Sequence, residues 1–382
     1  MRVLHVTPYY PPTWAYGGIP RVVGGLARAQ AALGVDVNVW TTDAYDATRR
    51  FDGPERRVEA GVTVWTTPNL SNRLAWAHQL FLPQGAPPLA GVDLVHLHSH
   101  RHLLNYKAAK AAQALGLPLV MTPNGSLLRH ERKQLLKALW DPLVDGDLPA
   151  RADAVLATSR AEVRQCLEAG LPAARVFQVP NGLDLGEFER LPPRGRFRAR
   201  LGLGPDVPLV SYLGQVSPRK GVDHLVAAFA EGGLNAELVV AGPARGMALP
   251  KTVRTTGTLS GAERLELLVD TDVLAYPSTA EVFGLVPFEG LLCGAPVVVG
   301  DDCGCGELVA EAGAGRLVPH GDVAALRDAL AGLLANRRLS GEMVERGRRY
   351  IREKLDFGVV AQRTVEIYEQ VLGARRAGRG AH

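Results

Sequence analysis

Two glutamates, Glu281 and Glu289, stand eight residues apart in the segment Pro277-Ser278-Thr279-Ala280-Glu281-Val282-Phe283-Gly284-Leu285-Val286-Pro287-Phe288-Glu289. An ionised carboxylate only accepts hydrogen bonds, and its two oxygens can hold a vicinal diol, so the pair suits hydroxyl-rich ligands. Read singly, Glu281 could cap a turn and Glu289 could be a solvated helix charge. Glu289, however, lies inside an otherwise apolar run, where a carboxylate needs a partner. Pro287 sits where a first helical turn tolerates proline. The amides of Phe283, Gly284, Leu285 and Val286 then belong to a helix N-terminus, which attracts anions. A second segment, Tyr212-Leu213-Gly214-Gln215-Val216-Ser217-Pro218-Arg219-Lys220-Gly221, leaves a strand and delivers two adjacent cations. Such cations suit a diphosphate, though by themselves they could be a solvated loop. The G-x-x-x-x-G-K-[ST] spacing is absent, which leaves ATP-type phosphoryl transfer without support.

Three weaker signals fall earlier in the chain. Gly17-Gly18-Ile19-Pro20-Arg21 leads into a helix, and its glycines let backbone amides approach an anion closely. The spacing is not G-x-G-x-x-G, which disfavours a dinucleotide site and a dehydrogenase. His96, His98 and His100 alternate and would share one face if the chain stays extended, though the strand could end before His100. Three histidines invite a zinc reading, but no carboxylate or cysteine is near in sequence; His98, at the carboxyl end of its strand, is the better ligand contact. Cys303 and Cys305 lack a second ligand pair at zinc spacing and read as thiols lining a turn. Of two D-x-D triplets, Asp270-Thr271-Asp272 precedes a buried strand and reads as structural. Asp145-Gly146-Asp147 falls in an undefined loop.

These residues need elements to hold them, and the apolar periodicity supplies strand and helix in alternation. Strands are expected at 2–7, 36–41, 62–66, 94–97, 119–122, 154–158 and 176–179, with helices at 19–33, 103–115 and 160–169. The pattern restarts with strands at 209–213, 237–241, 273–276 and 296–299, with helices at 223–230, 262–269 and from 287. Continuous apolar strands between amphipathic helices mean parallel sheets covered on both faces. Two doubly wound α/β domains follow, with residues 1–183 and 184–357 as the two halves. Their strand-end crevices are expected to face a central cleft. The helix at 358–374 could pack back on the first half, and the Arg/Gly-rich tail 375–382 is expected to be disordered.

A chain of 382 residues suits two domains, and 47% hydrophobic with 21% charged residues excludes a mostly disordered protein. The net charge is +4, with 36 arginines among 43 basic residues, which suggests anion recognition without a nucleic-acid stripe. Four cysteines make no disulfide framework, and no apolar run is long enough for a membrane span. The start of the chain has no signal layout, so a cytoplasmic protein is expected. Arg129 to Trp140 reads as a basic amphipathic helix that could touch an anionic membrane or be a solvated face over a core stripe. No oligomeric state is legible.

Glycine pairs, cations and carboxylates all fall in loops after strands. In this combination the chain resembles the retaining glycosyltransferases of family 4, which have the GT-B fold of two Rossmann-like domains. The resemblance spans nearly the whole chain. Its most specific part is the E-x7-E pair within "PSTAEVFGLVPFEGLLCGAPVV", followed by "VPNGLDLGEF" at residues 179–188. It implies transfer of a hexose-type sugar from a nucleotide diphosphate sugar to an acceptor hydroxyl, without metal or other cofactor. It implies that Glu289 holds the ribose, that Glu281 contacts the sugar, and that amides of Phe283, Gly284 and Leu285 meet diphosphate and sugar. Lys220 would neutralise the departing diphosphate, Gly18 would donate backbone hydrogen bonds to it, and His98 would lie near the reaction centre. Tyr16, Gly17 and Asn124 are expected on the acceptor side. The family carries arginine where Gln215 stands here, so Arg219 or another cation would supply the missing charge; Cys305 replaces a residue that is commonly glycine. Rival readings are a sugar-nucleotide epimerase, a phosphorylase and a non-catalytic nucleotide-sugar sensor.

Overall fold

The computed structural model describes residues 1–127, 147–244, 246–279 and 281–380. The chain divides into two compact units, Met1–Leu183 with Leu355–His382, and Asp184–Lys354. The segments that carry the basic stretch Arg129 to Trp140, Asp145 and Gly146 lie outside the described residues.

The first unit is an eight-stranded sheet: β1 (Arg2–Val6), β2 (Asp36–Thr42), β3 (Arg56–Glu59), β4 (Val62–Thr67), β5 (Leu94–His98), β6 (Leu119–Thr122), β7 (Ala154–Ala157) and β8 (Val176–Gln178). The spatial order is β3-β4-β2-β1-β5-β6-β7-β8. All pairings are parallel except β3 with β4, an antiparallel edge that the sequence reading did not anticipate. Strand β3 is Arg-Arg-Val-Glu and mostly exposed, so it has no apolar alternation; Arg57 Nη1 ties it to Thr66 Oγ1 at 2.9 Å. The order reverses between β1 and β5, and the carboxyl ends on either side of that reversal are Val6 and His98. Open α/β sheets bind ligands at such a switch point.

Helix Ile19–Ala32 covers one face with its buried residues Val22, Val23, Leu26 and Ala27. The last helix, Phe357–Gly380, packs on the same core through Val360, Ala361, Ile367 and Tyr368. Its start is fixed by Leu355 and Phe357, which sandwich Leu183 through hydrogen bonds of 2.7 and 3.2 Å. Residues 355–357, placed with the second half by sequence, therefore sit in the first unit. Gly25 is required here, because a Cβ would enter the Phe357 ring. The expectation of a disordered tail from 375 is corrected, since the helix runs through Gly380. Arg375 gives the extension an anchor, donating to both oxygens of Asp153 at 2.7 and 3.0 Å.

The second unit holds β9 (Leu209–Leu213), β10 (Glu237–Ala241), β11 (Arg254–Gly257), β12 (Val273–Tyr276), β13 (Val297–Gly300) and β14 (Gly315–Val318). They form one parallel sheet in the order β11-β10-β9-β12-β13-β14. The reversal lies between β9 and β12. Strands β11 and β14 and the helices Gly304–Ala312, Val323–Ala335 and Arg337–Tyr350 went unassigned by periodicity. The edge strand β11, Arg-Thr-Thr-Gly, is too polar to signal itself. Asp270 and Asp272 prove structural: Asp270 accepts from Arg198 N at 2.9 Å, and Asp272 pairs with Arg194 and Arg198 at 2.5 Å. Among the described residues no helix is long and apolar enough to cross a membrane.

Candidate functional site

In the second unit the loops that leave β9 and β12 flank the switch point and carry most of the residues singled out by sequence. After β9 the chain passes Gly214 and Gln215 into a 3-10 turn, Pro218–Lys220, closed by Gly221 at φ 66°. Only glycine fits there, because a Cβ would collide with the Pro277 carbonyl of the neighbouring loop. That close approach brings Lys220, only 9% exposed, onto Glu281.

Glu281 Oε2 accepts from Lys220 Nζ, from Tyr276 Oη at 2.9 Å and from Ser278 Oγ at 3.1 Å. The lysine also lies 5.8 Å from the centre of the Tyr276 ring. Burial, helped by the Glu281 charge, pushes the Tyr276 hydroxyl well above its ordinary pKa, so it remains a donor. Glu281 O in turn accepts from Gly304 N at 2.6 Å, which fixes the loop against the helix Gly304–Ala312. Cys305 is buried in that helix with its sulfur 3.2 Å from Cys303 Sγ, so the two thiols line a packed turn.

Glu289 lies in the first turn of the helix Val286–Cys293, with Pro287 at its start. It is 2% exposed and has the partner its apolar setting demands: Arg264 Nη1 stands 2.5 Å from Oε2. Arg264 also pairs with Glu187 at 2.8 Å and lies over the Phe188 ring at 5.9 Å. Phe283 is buried against Phe288, with ring centres 5.5 Å apart, and Gly284 lies against Tyr276 and Cys305. Gln215 is half-buried, its carbonyl accepting from Tyr212 Oη at 2.8 Å, while Arg219 is exposed. The second unit thus unites Lys220, Glu281, Tyr276 and Ser278 in one cluster and holds Glu289 on Arg264.

In the first unit Gly18 caps the helix Ile19–Ala32 and Gly17 turns at φ 98°. Tyr16 stacks on Tyr9 at 5.2 Å and packs edgewise on Trp76, so this aromatic closes the domain; Trp14 of the same loop is 52% exposed. His98 ends β5, and three non-glycine residues just beyond strand ends turn into positive φ: Ser99 at 66°, Arg101 at 62° and Asn124 at 52°. Such conformations concentrate at ligand-binding turns. Glu162, buried, braces Asn124-Gly125 from below: its carboxylate accepts from Gly125 N at 2.5 Å and Thr158 N at 2.7 Å. Burial raises its pKa.

The expected histidine trio is replaced by another. His100 lies past the strand, and its place is taken by His5, opposite His96 on the adjacent strand β1. The ligating atoms of His5, His96 and His98 lie within 4.8 Å of one another. Both ring nitrogens of His5 and of His96 are engaged in hydrogen bonds, with His98, Gln30, Tyr368 and Thr122 as partners. The cluster is closed by those bonds and is not an open ligand set. Sequence reasoning missed Gln30, His5, Tyr368, Arg264 and Glu162. Gln30 alone carried a signal, as a polar residue on the apolar face of its helix.

Residues 17–182 match the glycosyl transferase 4-like domain, and residues 193–350 match the glycosyl transferases of group 1. D-inositol 3-phosphate glycosyltransferase of Kineococcus radiotolerans is 29% identical, covering 99% of this chain and 96% of the relative. The protein of the same name from Nocardia farcinica is 30% identical over 87% of this chain and 81% of the relative. Among solved structures, sucrose-phosphate synthase from Thermosynechococcus elongatus superposes with a TM-score of 0.74 at 20% identity, covering 98% and 99% of the two chains. HepE from Anabaena, solved with UDP-glucose, reaches 0.73 at 20% identity over 97% and 100%. These likenesses extend over both units, and the carboxylate and lysine loops fall within the group 1 match. The chain belongs to the group 1 glycosyltransferases and has their GT-B fold.

Proposed function

We propose that this glycosyltransferase takes a hexose-type sugar from a nucleotide diphosphate donor and passes it to an acceptor hydroxyl with retention of anomeric configuration, without a metal ion. The observation that carries the reading is the Lys220–Glu281 pair at the switch point of the second sheet. In the free protein Lys220 is held by Glu281. A donor diphosphate offers the ammonium a stronger anion, and Lys220 moves to it as negative charge grows on the departing phosphate. Glu281 keeps two neutral donors, Tyr276 Oη and Ser278 Oγ, so its carboxylate stays oriented while its other oxygen accepts from sugar hydroxyls. Glu289 takes the ribose diol from its seat on Arg264, and the start of the helix Val286–Cys293 adds positive partial charge.

With retention, the acceptor approaches on the face the phosphate leaves, and a phosphate oxygen can take its proton. No side-chain base is then needed. Lys220, Arg219 and backbone amides serve the diphosphate, which leaves a metal little to do. The names of the relatives put inositol phosphates first among acceptors, and HepE puts UDP-sugars first among donors. The test is incubation of labelled nucleotide sugars with and without acceptor. Acceptor-dependent release of nucleoside diphosphate supports transfer; full turnover without acceptor supports an epimerase or phosphorylase instead, and binding with no turnover a sensor.

A further inference from the structure

Beside the Glu281 loop, the second unit sets two cysteines against each other. Strand β13 ends at Gly300, the exposed residues Asp301 and Asp302 follow, and Cys303 caps the helix Gly304–Ala312. Cys303 Sγ donates to the Gly300 carbonyl at 3.0 Å and accepts from Gly306 N at 3.3 Å. Cys305 brings its sulfur to 3.2 Å from Cys303 Sγ. With the Cys303 hydrogen on Gly300, the hydrogen between the two sulfurs belongs to Cys305. That hydrogen bond, with burial, holds the Cys305 thiol well above its ordinary pKa. The two sulfurs therefore differ in character. Cys303 meets an amide at a helix N-terminus, which favours its thiolate, whereas Cys305 keeps its proton.

The turn that holds this pair also holds the loop of Glu281. Gly304 N, between the two cysteines, donates to the Glu281 carbonyl at 2.6 Å, and Thr279 Oγ1 donates to Asp302 Oδ2. Gly284 packs on Cys305, where a Cβ would stand 3.2 Å from the sulfur, and the Ser278 carbonyl lies too close to Gly300 for any Cβ. A shift of residues 302–305 is thus passed to Glu281 and, through it, to Lys220.

We propose that Cys303 and Cys305 are an oxidisable dithiol, which a peroxide converts to a disulfide that displaces the Glu281 loop and slows transfer until a thiol reductant reopens the bond. The effect on turnover rests on the glycosyl-transfer reading; the chemistry of the pair does not. The Cys303 thiolate attacks one peroxide oxygen and the O–O bond breaks. The hydroxide that leaves takes the proton Cys303 gave up, which yields water and a sulfenic acid. The Cys305 sulfur then attacks the Cys303 sulfur and the S–O bond breaks. The departing hydroxide takes the Cys305 proton and becomes the second water, so two thiols are oxidised and one peroxide is reduced. A peroxide little larger than water approaches at the exposed turn Asp301-Asp302, next to Cys303. Disulfide sulfurs stand about 2.05 Å apart, so the pair closes by about 1 Å, and Cys303 gives up its hydrogen bond to Gly300. A displacement of that size at a catalytic group costs up to about 10²-fold in rate.

The test treats the full chain with hydrogen peroxide, quenches with catalase, and alkylates in denaturant before mass measurement. The reduced chain should take up four alkyl groups and the oxidised chain two, with fragmentation placing the missing pair at Cys303 and Cys305. Turnover should fall at least tenfold on the same time course and return with dithiothreitol. Cys305→Ala and Cys303→Ser, in which serine can still cap the helix, should transfer sugar and resist peroxide. Cys293→Ala should remain as sensitive as the wild type. If the first two variants do not fold, alkyl uptake and its parallel with turnover in the wild type decide alone. Uptake of four groups after full exposure overturns the inference, as does a disulfide to any other cysteine. So does a Cys303–Cys305 bond with unchanged turnover, or inhibition that persists in the folded variants. Alkyl uptake is counted without substrate, so its failure leaves transfer intact. Reduced protein that turns over no nucleotide sugar removes the transfer reading instead, whatever the uptake.

Discussion

The ammonium of Lys220 and the carboxylate of Glu281 neutralise each other in the free protein, and that contact explains how a buried lysine and a half-buried glutamate coexist without a ligand. Replacing either leaves the other poorly paired, so both variants should lose some stability as well as activity. Lys220→Ala is expected to reduce turnover by about 10²–10³, the usual cost of one donor to a developing anion, while circular dichroism shows the fold retained. Tyr276→Phe keeps the ring under Lys220 but removes one of the hydroxyls that hold Glu281. It should lower kcat roughly tenfold with less effect on donor affinity, since the contact proposed between Glu289 and the nucleotide is untouched; a kinetic assay with saturating acceptor separates the two. That Glu289 needs a partner was legible in sequence, because a carboxylate inside an apolar run must be paired, and the structure supplies Arg264. Arg264 was not, because nothing in the sequence of its amphipathic helix says that its one arginine turns toward Glu289.

At the scale of elements, four histidines of the first unit are buried in forms that resist protonation: His5 and His102 at about 4, His96 and His98 well below their ordinary value. Their folded pKa values lie beneath the unfolded value near 6.5, so the unfolded chain binds more protons between the two. Stability from these groups is complete above pH 6.5 and is lost as pH falls toward 4. Each histidine contributes up to about 1.4 kcal/mol per pH unit in that window. Glu162, raised by burial, works with opposite sign but is one group against four. The melting temperature should therefore fall steeply from pH 7 to pH 5, and His102→Gln should flatten the decline; a flat profile in the wild type would contradict the burial of these rings. The strands that hold them read plainly from their apolar runs. The edges β3 and β11 did not, because short polar strands are held by their neighbours and show no periodicity of their own.

At the scale of the whole molecule, one chain builds two switch-point sheets and then returns, with its last helix, to the first. Phe357 fills the space left by Gly25 and Gly182, so the closing helix is part of the first core. Phe357→Ala should cost about 2 kcal/mol, less than a fully buried phenylalanine, and lower the melting temperature without changing kcat. The double α/β architecture was legible because the alternation of strands and helices restarts after the Pro- and Gly-rich stretch near residue 180. The length of the tail helix was not, since its anchor, Asp153, lies 222 residues away in sequence from Arg375. The central claim is that a departing anion is received by Lys220 while the sugar keeps its configuration. It is tested most directly by following one reaction by proton NMR, with an α-linked UDP-sugar and an inositol phosphate acceptor, for the wild-type protein and Lys220→Ala. The account predicts an α-linked product whose formation slows at least a hundredfold in the variant. A β-linked product, or a variant that turns over at nearly the wild-type rate, would contradict it.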